Sequence, residues 1–316
     1  MPPTATAATT ATAQAQDREA TAARLLKISA GNSYDPDVDI DWRAPLDPER
    51  MFAPEHRLSL YGTPLWDGLT PQQRIELSKH EVASIASVGI WFEMLLMRLL
   101  LRHISDQDPR TGHVQYALTE VGDECRHSIM FARMIEAFGT PAYRPAPMER
   151  ALGKYLGATA GGVQTFAAAL IAEEILDALQ REAMADDSLQ PLVRMVSRIH
   201  VVEEARHIRF ARDELARQVA ASRRSTGARG WAGRASLAYS RLMIGRAAWT
   251  VTHSLIHPGA YAAVGLDPVA ARAAAWRNPV FRETLRWSAE RVTAYLQELG
   301  LVEGPARRLW RASALI

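Results

Sequence analysis

Two stretches of this chain carry the same pattern: Asp123-Glu-Cys-Arg-His-Ser-Ile-Met-Phe-Ala-Arg133 and Glu203-Glu-Ala-Arg-His-Ile-Arg-Phe-Ala-Arg212. Each contains Glu-x-x-His, and each follows a lone glutamate in an apolar setting, Glu93 or Glu173. The offsets are equal, since 124 − 93 = 31 and 204 − 173 = 31. Two glutamates and two Glu-x-x-His motifs, projected inward from four helices, form the ligand set of a carboxylate-bridged dimetal site. The repeat therefore predicts an all-α fold, a four-helix bundle with a dimetal centre.

Helical geometry extends this set by one histidine. Residues three apart on a helix share a face, so Glu204 and His207 point the same way. His200 precedes them by four and seven residues and projects within the same arc of ~60°, which makes it a candidate for an extra nitrogen ligand. Carboxylate oxygens combined with imidazole suit iron, and also manganese. The predicted metal-binding and catalytic residues are Glu93, Glu124, His127, Glu173, His200, Glu204 and His207.

The first ligand and the residues around the ligands leave choices open. Glu81 is an alternative to Glu93, but it lies in a more polar segment and breaks the equal offset. A glutamate in an apolar setting is costly unless it is paired or metal-bound, which favours Glu93. Cys125 is displaced from the ligand face, so we expect a small packed residue. We expect ion pairs between helices, or hydrogen bonds that orient the ligands, from Asp123 and Glu203 together with Arg126 and Arg206. Glu120 and Asp177 are further candidates for orienting a ligand.

Composition narrows the class of protein. The formal net charge of +2 gives no strong attraction to nucleic acid. A single cysteine excludes an intramolecular disulfide and fits a reducing cytoplasm. No signal peptide pattern is visible at the N-terminus. The most apolar stretch, 88–101, contains Glu93 and Arg98 and is shorter than the ~20 residues that span a bilayer. We therefore expect a cytoplasmic protein with no membrane or nucleic-acid partner.

The chain reads as one domain. We predict a disordered N-terminus at 1–20 and a single domain at 21–316, with the ligand-bearing bundle at about 70–222. Proline-rich residues 34–75 predict an irregular arm, and no alternating apolar pattern indicates a sheet. The hydrophobic periodicity predicts helices at 70–104, 112–138, 159–186, 190–222, 230–255, 267–276 and 278–300.

The motif order resembles the aureothin-type p-aminobenzoate N-oxygenases, a branch of the ferritin-like diiron oxygenases. The likeness spans roughly residues 75–215 and is closest between Ala172 and His207, where the spacing agrees without gaps and includes His200. It implies a ferritin-like bundle, two iron ions held by the seven predicted residues, and use of dioxygen. It also implies oxidation of an amine nitrogen through hydroxylamine toward nitroso or nitro, with electrons from an external reductase. The implied substrates are arylamines, free or attached to a carrier protein, in natural-product biosynthesis.

Other functions of the same scaffold stay open. A diiron hydroxylase or desaturase acting on carbon would use the same ligands. A ferritin-like iron-handling protein with ferroxidase activity is a third candidate, although a bare ferritin unit needs only about half this length. Phe131 occupies the position at which ribonucleotide-reductase small subunits keep a radical tyrosine, which argues against that class. We expect a homodimer, the commonest symmetric assembly.

Overall fold

Four long helices, each carrying one element of the repeat, form the centre of the fold. The computed structural model describes residues 5–224 and 227–316, and no strand occurs within these ranges. Two single 3-10 turns lie at Glu55–Arg57 and Gly304–Ala306. In chain order the α-helices are α1 (Ala5–Gly31), α2 (Pro36–Asp39), α3 (Pro64–Asp67), α4 (Pro71–Ile104), α5 (Gly112–Ala137), α6 (Pro147–Thr159), α7 (Gly162–Ala185), α8 (Pro191–Arg224), α9 (Gly227–Ser254), α10 (Pro258–Ala263), α11 (Pro268–Arg277), α12 (Pro279–Glu298) and α13 (Arg307–Ala312).

The bundle consists of two helix pairs. α4 packs along α5, and α7 packs along α8, and contacts of α5 with α8 and of α4 with α7 join the two pairs. Short loops at 105–111 and 186–190 connect the members of each pair, as expected for neighbours in a bundle. All four helices begin and end within three residues of the predicted positions. The predicted all-α, ferritin-like bundle is confirmed.

Local capping sets where two of these helices begin. At α4, the Thr70 hydroxyl accepts a hydrogen bond from the backbone N–H of Gln73, and the Gln73 side chain accepts one from the backbone N–H of Thr70. This reciprocal pair is a capping box. Pro71 takes the first helical position, where its missing N–H costs nothing. Thr111 caps α5 by accepting from the backbone N–H of Val114. The start of each helix therefore has its own hydrogen-bond partners.

The described residues at the N-terminus are helical. The structure has a helix from Ala5 onward, while residues 1–4 of the predicted disordered segment lie outside the described residues. Alanine, abundant here, has the highest helix propensity. The helix is also anchored: Arg18 binds the buried Glu214 at 2.9 Å, and Glu19 accepts hydrogen bonds from the first turn of α5. These contacts join residues far apart in the chain, so the composition of the segment alone does not predict them.

The C-terminal helices cover one side of the bundle. α9 and α12 both pack against α7, and α13 packs against α9. Trp310 of α13 is fully buried, whereas Trp231 of α9 is exposed. The short α6 lies on α4 and was not among the predicted helices. Gly153 brings α6 against the ring of Trp91, because a side chain at this glycine would collide with that ring. The tail thus encloses the α7 side of the bundle.

α4 is the most apolar helix of the bundle. It is long and apolar enough to cross a membrane by length and composition alone. Half of its most apolar window is buried inside the protein, however, and Glu93 on this helix is buried as well. These properties fit the core helix of a bundle.

Truncation of a core side chain tests this packing. Leu170 of α7 is fully buried in the larger hydrophobic cluster. We expect Leu170→Ala to lower the free energy of unfolding by about 2–5 kcal/mol, because it removes buried methyl groups and leaves a cavity. Val269→Ala, at a position that is 79% exposed, is the matched control and should change stability by less than about 0.5 kcal/mol. Urea denaturation followed by circular dichroism measures both variants, and similar losses in the two would contradict the assigned core.

Candidate metal centre

The structure brings all seven predicted ligand residues together at the centre of the bundle. Each of the four long helices supplies at least one of them, and each side chain is at least 96% buried. They form three overlapping groups whose ligand atoms lie within 4.8 Å of one another. The groups are Glu124, His127, Glu204 and His207; Glu93, His127 and His200; and Glu173, His200 and Glu204.

Distances within the cluster match the repeat in the sequence. His127 Nδ1 lies 3.0 Å from Glu124 Oε2, and His207 Nδ1 lies 3.0 Å from Glu204 Oε2. His207 Nδ1 is also 2.9 Å from Glu124 Oε1, so the two halves meet at this carboxylate. The Nδ1 atoms of both histidines therefore face the carboxylates. These nitrogens are the ones that point to the centre of the cluster.

His200 makes the two ends of the cluster different. Its Nε2 atom lies 3.5 Å from Glu93 Oε1 and 3.9 Å from Glu204 Oε2. The corresponding position on α5 is Glu120, which is buried with its Oε2 atom lacking a hydrogen-bond partner. One end of the cluster is therefore richer in imidazole than the other.

The donor set fits two divalent metal ions. Several buried atoms of the cluster have no hydrogen-bond partner among the described residues, although buried polar atoms are normally satisfied. Four glutamates carry four negative charges, which two dications would cancel (4 × −1 + 2 × +2 = 0). Oxygen and imidazole donors suit iron or manganese. The unsatisfied atoms are Glu93 Oε2, Glu204 Oε1 and both ring nitrogens of His200.

Several ligand residues of the cluster have pKa values that favour their protonated forms. Burial, reinforced by the nearby carboxylates, raises the pKa of Glu93 and of Glu173 well above the usual value. For His127, burial alone would lower the pKa, but hydrogen bonds with Glu124 and Glu203 outweigh burial and raise it to about 9. Metal ions need deprotonated ligands, so protons and metal ions compete for these groups.

Each motif histidine also contacts a carboxylate of the opposite motif. Asp123 Oδ2 of α5 lies 3.0 Å from His207 Nε2 of α8, and Glu203 Oε2 of α8 lies 2.9 Å from His127 Nε2 of α5. These carboxylates accept the Nε2 protons and so leave Nδ1 for a metal ion. Such partners fix the tautomer and ring orientation of metal-binding histidines. The predicted orienting role of Asp123 and Glu203 agrees with this geometry.

Two arginines and the end of α1 surround this outer layer. Arg126 forms an ion pair with Asp123, and Arg206 lies 3.4 Å from the same carboxylate. The backbone N–H of Tyr34 donates to Glu203 at 3.1 Å, and Arg206 donates to the backbone oxygen of Asn32. The Arg206 contact joins α8 to α5, as expected for an ion pair between helices, whereas the Arg126 pair lies within α5. The segment that follows α1 therefore closes the outer layer of the centre.

Several other candidates have roles that the sequence left open. Glu81 lies outside the cluster and accepts hydrogen bonds from the backbone N–H and the hydroxyl of Ser59. Asp177 binds Arg181 on its own helix at 2.7 Å and contacts no ligand. Cys125 is exposed, so its prediction as a packed residue was wrong. One position on from Glu124, it is rotated by ~100° to the outer face of α5.

A second group of possible ligands, His103, His113 and Glu214, was missed at the sequence level because its members come from three helices without a shared motif. Glu214 already accepts hydrogen bonds from Arg18 and Arg217. A dication there would add two positive charges beside two arginines in a largely buried place. This group is therefore a polar contact that holds α1 on the bundle.

Two neighbouring apolar cavities lie on the Glu93 and Glu173 side of the cluster. The smaller, of about 20 Å³, is lined by Glu93 and Glu173 among apolar side chains. The larger, of about 90 Å³, shares Ile85, Leu176 and Leu255 with the smaller one. Phe131 also lines the larger cavity, and its ring centroid lies 5.0 Å from that of His200. Together the cavities form an apolar approach to the Glu93 and Glu173 end of the centre.

Comparisons with known proteins agree with this geometry. A family model described as p-aminobenzoate N-oxygenase AurF matches residues 15–300, which include all seven cluster residues. Proteins named only as uncharacterized, from Mycobacterium bovis and from two strains of Mycobacterium tuberculosis, are 29% identical to this chain over 206 residues. Those matches cover 62% of this chain and 60% of each relative, so the chain spans about three fifths of the length of these relatives.

Competition between protons and metal ions makes metal binding depend on pH. The raised pKa values of Glu93, Glu173 and His127 mean that the metal-free cluster holds protons that an incoming ion must displace. We therefore expect Mn(II) binding to release protons and to weaken as the pH falls from 8 to 6. Titration in weakly buffered solution with an indicator dye measures the release. Binding that is independent of pH and releases no protons would contradict the proton-loaded cluster.

The outer carboxylates should tune metal binding without supplying ligands. We expect Asp123→Asn to lower the affinity for Mn(II) by about 10–100-fold while two ions per chain still bind at saturation, since the amide orients His207 less well. Asp213→Asn, which removes a surface partner of Arg209, is the matched control. Equilibrium dialysis with metal analysis measures affinity and stoichiometry. Unchanged affinity in Asp123→Asn would show that this carboxylate does not act on the metal centre.

Proposed function

The chain belongs to the p-aminobenzoate N-oxygenase AurF family, and we propose that it is a diiron oxygenase that oxidises the nitrogen of an amine. The observation that carries this proposal is the buried cluster of four glutamates and three histidines at the end of an apolar approach. A buried set of unsatisfied donors beside an apolar cavity is the usual arrangement of a ligand site with a metal centre. An arylamine is the substrate class that the family favours.

The seven cluster residues would hold the two ions. Glu124 lies 3.0 Å from His127 and 2.9 Å from His207, and Glu204 lies 3.0 Å from His207, so both carboxylates would take part in holding the ions. Glu93 and Glu173 come from the other two helices and face the smaller cavity. When bound, two iron ions would supply the binding and reductive activation of dioxygen.

The protein itself orients the metal-binding side chains and keeps water away from the amine. The apolar lining of both cavities excludes water around the amine, and the outer carboxylates of Asp123 and Glu203 hold the imidazoles in one orientation. The first oxidation balances as R–NH2 + O2 + 2 e⁻ + 2 H⁺ → R–NHOH + H2O. The two electrons come from an external reductase, and further rounds would carry the hydroxylamine toward nitroso and nitro products.

His200 favours nitrogen over carbon as the atom oxidised. It has no counterpart in the first half of the repeat, where Glu120 occupies the equivalent position, and it adds an imidazole at the Glu93 end. A diiron hydroxylase or desaturase acting on carbon remains the second candidate, because the carboxylates serve both reactions. An iron-handling role is less well supported, since apolar cavities suited to an organic substrate lie beside the cluster, the smaller lined by Glu93 and Glu173.

Further parts of the proposal concern the cellular setting. We propose a cytoplasmic enzyme of natural-product biosynthesis that works as a homodimer with an electron-donating reductase. Its amine is a small molecule, either free or attached to a carrier protein. The exposed apolar residues Met94, Leu101, Leu118 and Ile129 lie on α4 and α5 and are candidates for the dimer contact.

The decisive experiment loads the protein anaerobically with two Fe(II) per chain and then admits oxygen, a chemical reductant and a panel of arylamines. Mass spectrometry that finds hydroxylamine, nitroso or nitro products supports the proposal. Products hydroxylated on carbon would favour the second candidate. Oxidation of many Fe(II) per chain to a stored mineral, with no amine consumed, would favour iron handling.

His200 should affect the reaction more than it affects the iron content. We expect His200→Ala to retain at least half of the iron, because six ligand residues remain, and to lose N-oxygenation by tenfold or more. His103→Ala, at a histidine outside the cluster, is the matched control. Iron analysis and single-turnover product yield are measured on the same samples. Equal loss of iron and product in His200→Ala would remove the special role of this residue.

A further inference from the structure

The larger cavity has a polar end that faces away from the metal centre. Glu81 and Gln180 both line it, and both are buried. Glu81 is twelve residues before Glu93 on α4, about 18 Å along the helix at ~1.5 Å per residue. Gln180 is seven residues after Glu173 on α7, about 10 Å along that helix. The larger cavity therefore extends along α4 and α7 away from the metal centre, with Gln180 nearer to the centre than Glu81; these two residues are called the remote pair.

The remote pair consists of hydrogen-bond acceptors. Gln180 Oε1 is buried without a hydrogen-bond partner among the described residues. Glu81 accepts from Ser59 through both carboxylate oxygens, and no cationic side chain of the described chain forms an ion pair with it. Burial accordingly raises the pKa of Glu81 to about 7, although the hydrogen bonds from Ser59 oppose this shift. An occupant that donates a hydrogen bond would satisfy this end of the cavity.

The cavity offers no free cation to a carboxylate. Arg57 is the only Lys or Arg side chain among the lining residues, all of which lie in the described part of the chain. Its guanidinium is held by Glu182 through bonds of 2.6 and 3.3 Å. The same group also stacks on the ring of Trp287, 3.6 Å from the centroid. The positive charge of Arg57 is therefore already used outside the cavity.

From these contacts we propose that the cavity selects an elongated, apolar amine whose far end carries a hydrogen-bond donor, such as a hydroxyl group, and rejects one whose far end is a carboxylate. This rests on the proposed function, which places the amine nitrogen at the metal centre. A carboxylate at the far end would meet Glu81 in a buried apolar place, where like charges repel strongly. Small amino-acid-like arylamines such as p-aminobenzoate are therefore poor substrates for this chain.

The distance from the metal centre to the acceptor groups of Glu81 and Gln180 sets the length of the substrate. The larger cavity holds about 90 Å³, so an aromatic ring enters only if flexible lining side chains such as Met134 and Leu179 shift. A ring near the metal centre with a chain of three or four carbons spans the about 10 Å to Gln180 along α7 and directs its far end toward Glu81. Gly89, one turn before Glu93, keeps the inner cavity open because it has no side chain there.

Two matched amines test the selectivity in metal-free protein: 4-(4-aminophenyl)butan-1-ol and 4-(4-aminophenyl)butanoate. They share ring, amine and chain length and differ only at the far end. Calorimetric titration at pH 8 should give at least tenfold tighter binding of the alcohol. Equal binding, or tighter binding of the carboxylate, would overturn the proposal.

Two variants assign the selectivity to named side chains. Glu81→Gln removes the negative charge but keeps a polar group, so the preference for the alcohol should fall to within threefold. Glu182→Gln frees Arg57, so binding of the carboxylate should strengthen at least fivefold. Glu283→Gln removes an exposed negative charge on α12 and is the matched control, with no change expected. A preference that survives in Glu81→Gln would exclude Glu81 as its source, and thermal unfolding confirms that each variant folds.

Failure of this inference can be told apart from failure of the proposed function. Selective binding of the alcohol without any N-oxygenated product from iron-loaded protein would retain the cavity selectivity and refute the reaction. N-oxygenation of p-aminobenzoate at a rate equal to that of the alcohol would retain the reaction and refute the selectivity. The binding titration uses metal-free protein, so it depends on neither iron nor a reductase.

Discussion

The structure depends on burying four carboxylates and three imidazoles at one point of an apolar bundle. Isolated charges in such a place are strongly unfavourable, so each group needs a partner or a metal ion. The buried apolar side chains of Leu170 and Ile171 lie close to Glu173 in sequence, and such surroundings disfavour its charged form unless a metal ion binds. The position of the cluster also dictates what the outer layers do: they satisfy the far side of each ligand.

Those outer layers connect distant parts of the chain. Asp123 and Glu203 contact histidines across the bundle, and residues 32–34 contact Glu203 and Arg206. Farther along α1, Arg18 reaches Glu214 on α8. The N-terminal segment is therefore bound to the same helix that carries three of the cluster residues. The contacts of Arg18 and of residues 32–34 therefore connect the C-terminal half of α1 and the segment after it to the bundle.

Sequence predicted the bundle and the cluster because both follow from local spacing. Glu-x-x-His fixes two side chains on one helix face, and the equal offsets tie the two halves together. The choice of Glu93 over Glu81 rested on that offset, and the geometry places Glu81 in a cavity instead. What sequence could not predict depends on contacts between helices: the Asp123–His207 and Glu203–His127 pairs, the anchoring of α1, the exposure of Cys125, and the three-helix group around Glu214.

The crossed carboxylate–histidine contacts affect how the two halves of the repeat can change during evolution. Each half of the repeat carries the group that orients the other half's imidazole, so neither half is a finished unit by itself. A duplicated helix pair with this pattern would be related to its copy by an approximate twofold axis through the centre. A substitution of an orienting carboxylate in one half then disturbs the histidine of the other half, so the sequences of the two halves evolve together. The exchange of Glu120 for His200 is the place where that symmetry is broken, and it gives the centre one face unlike the other.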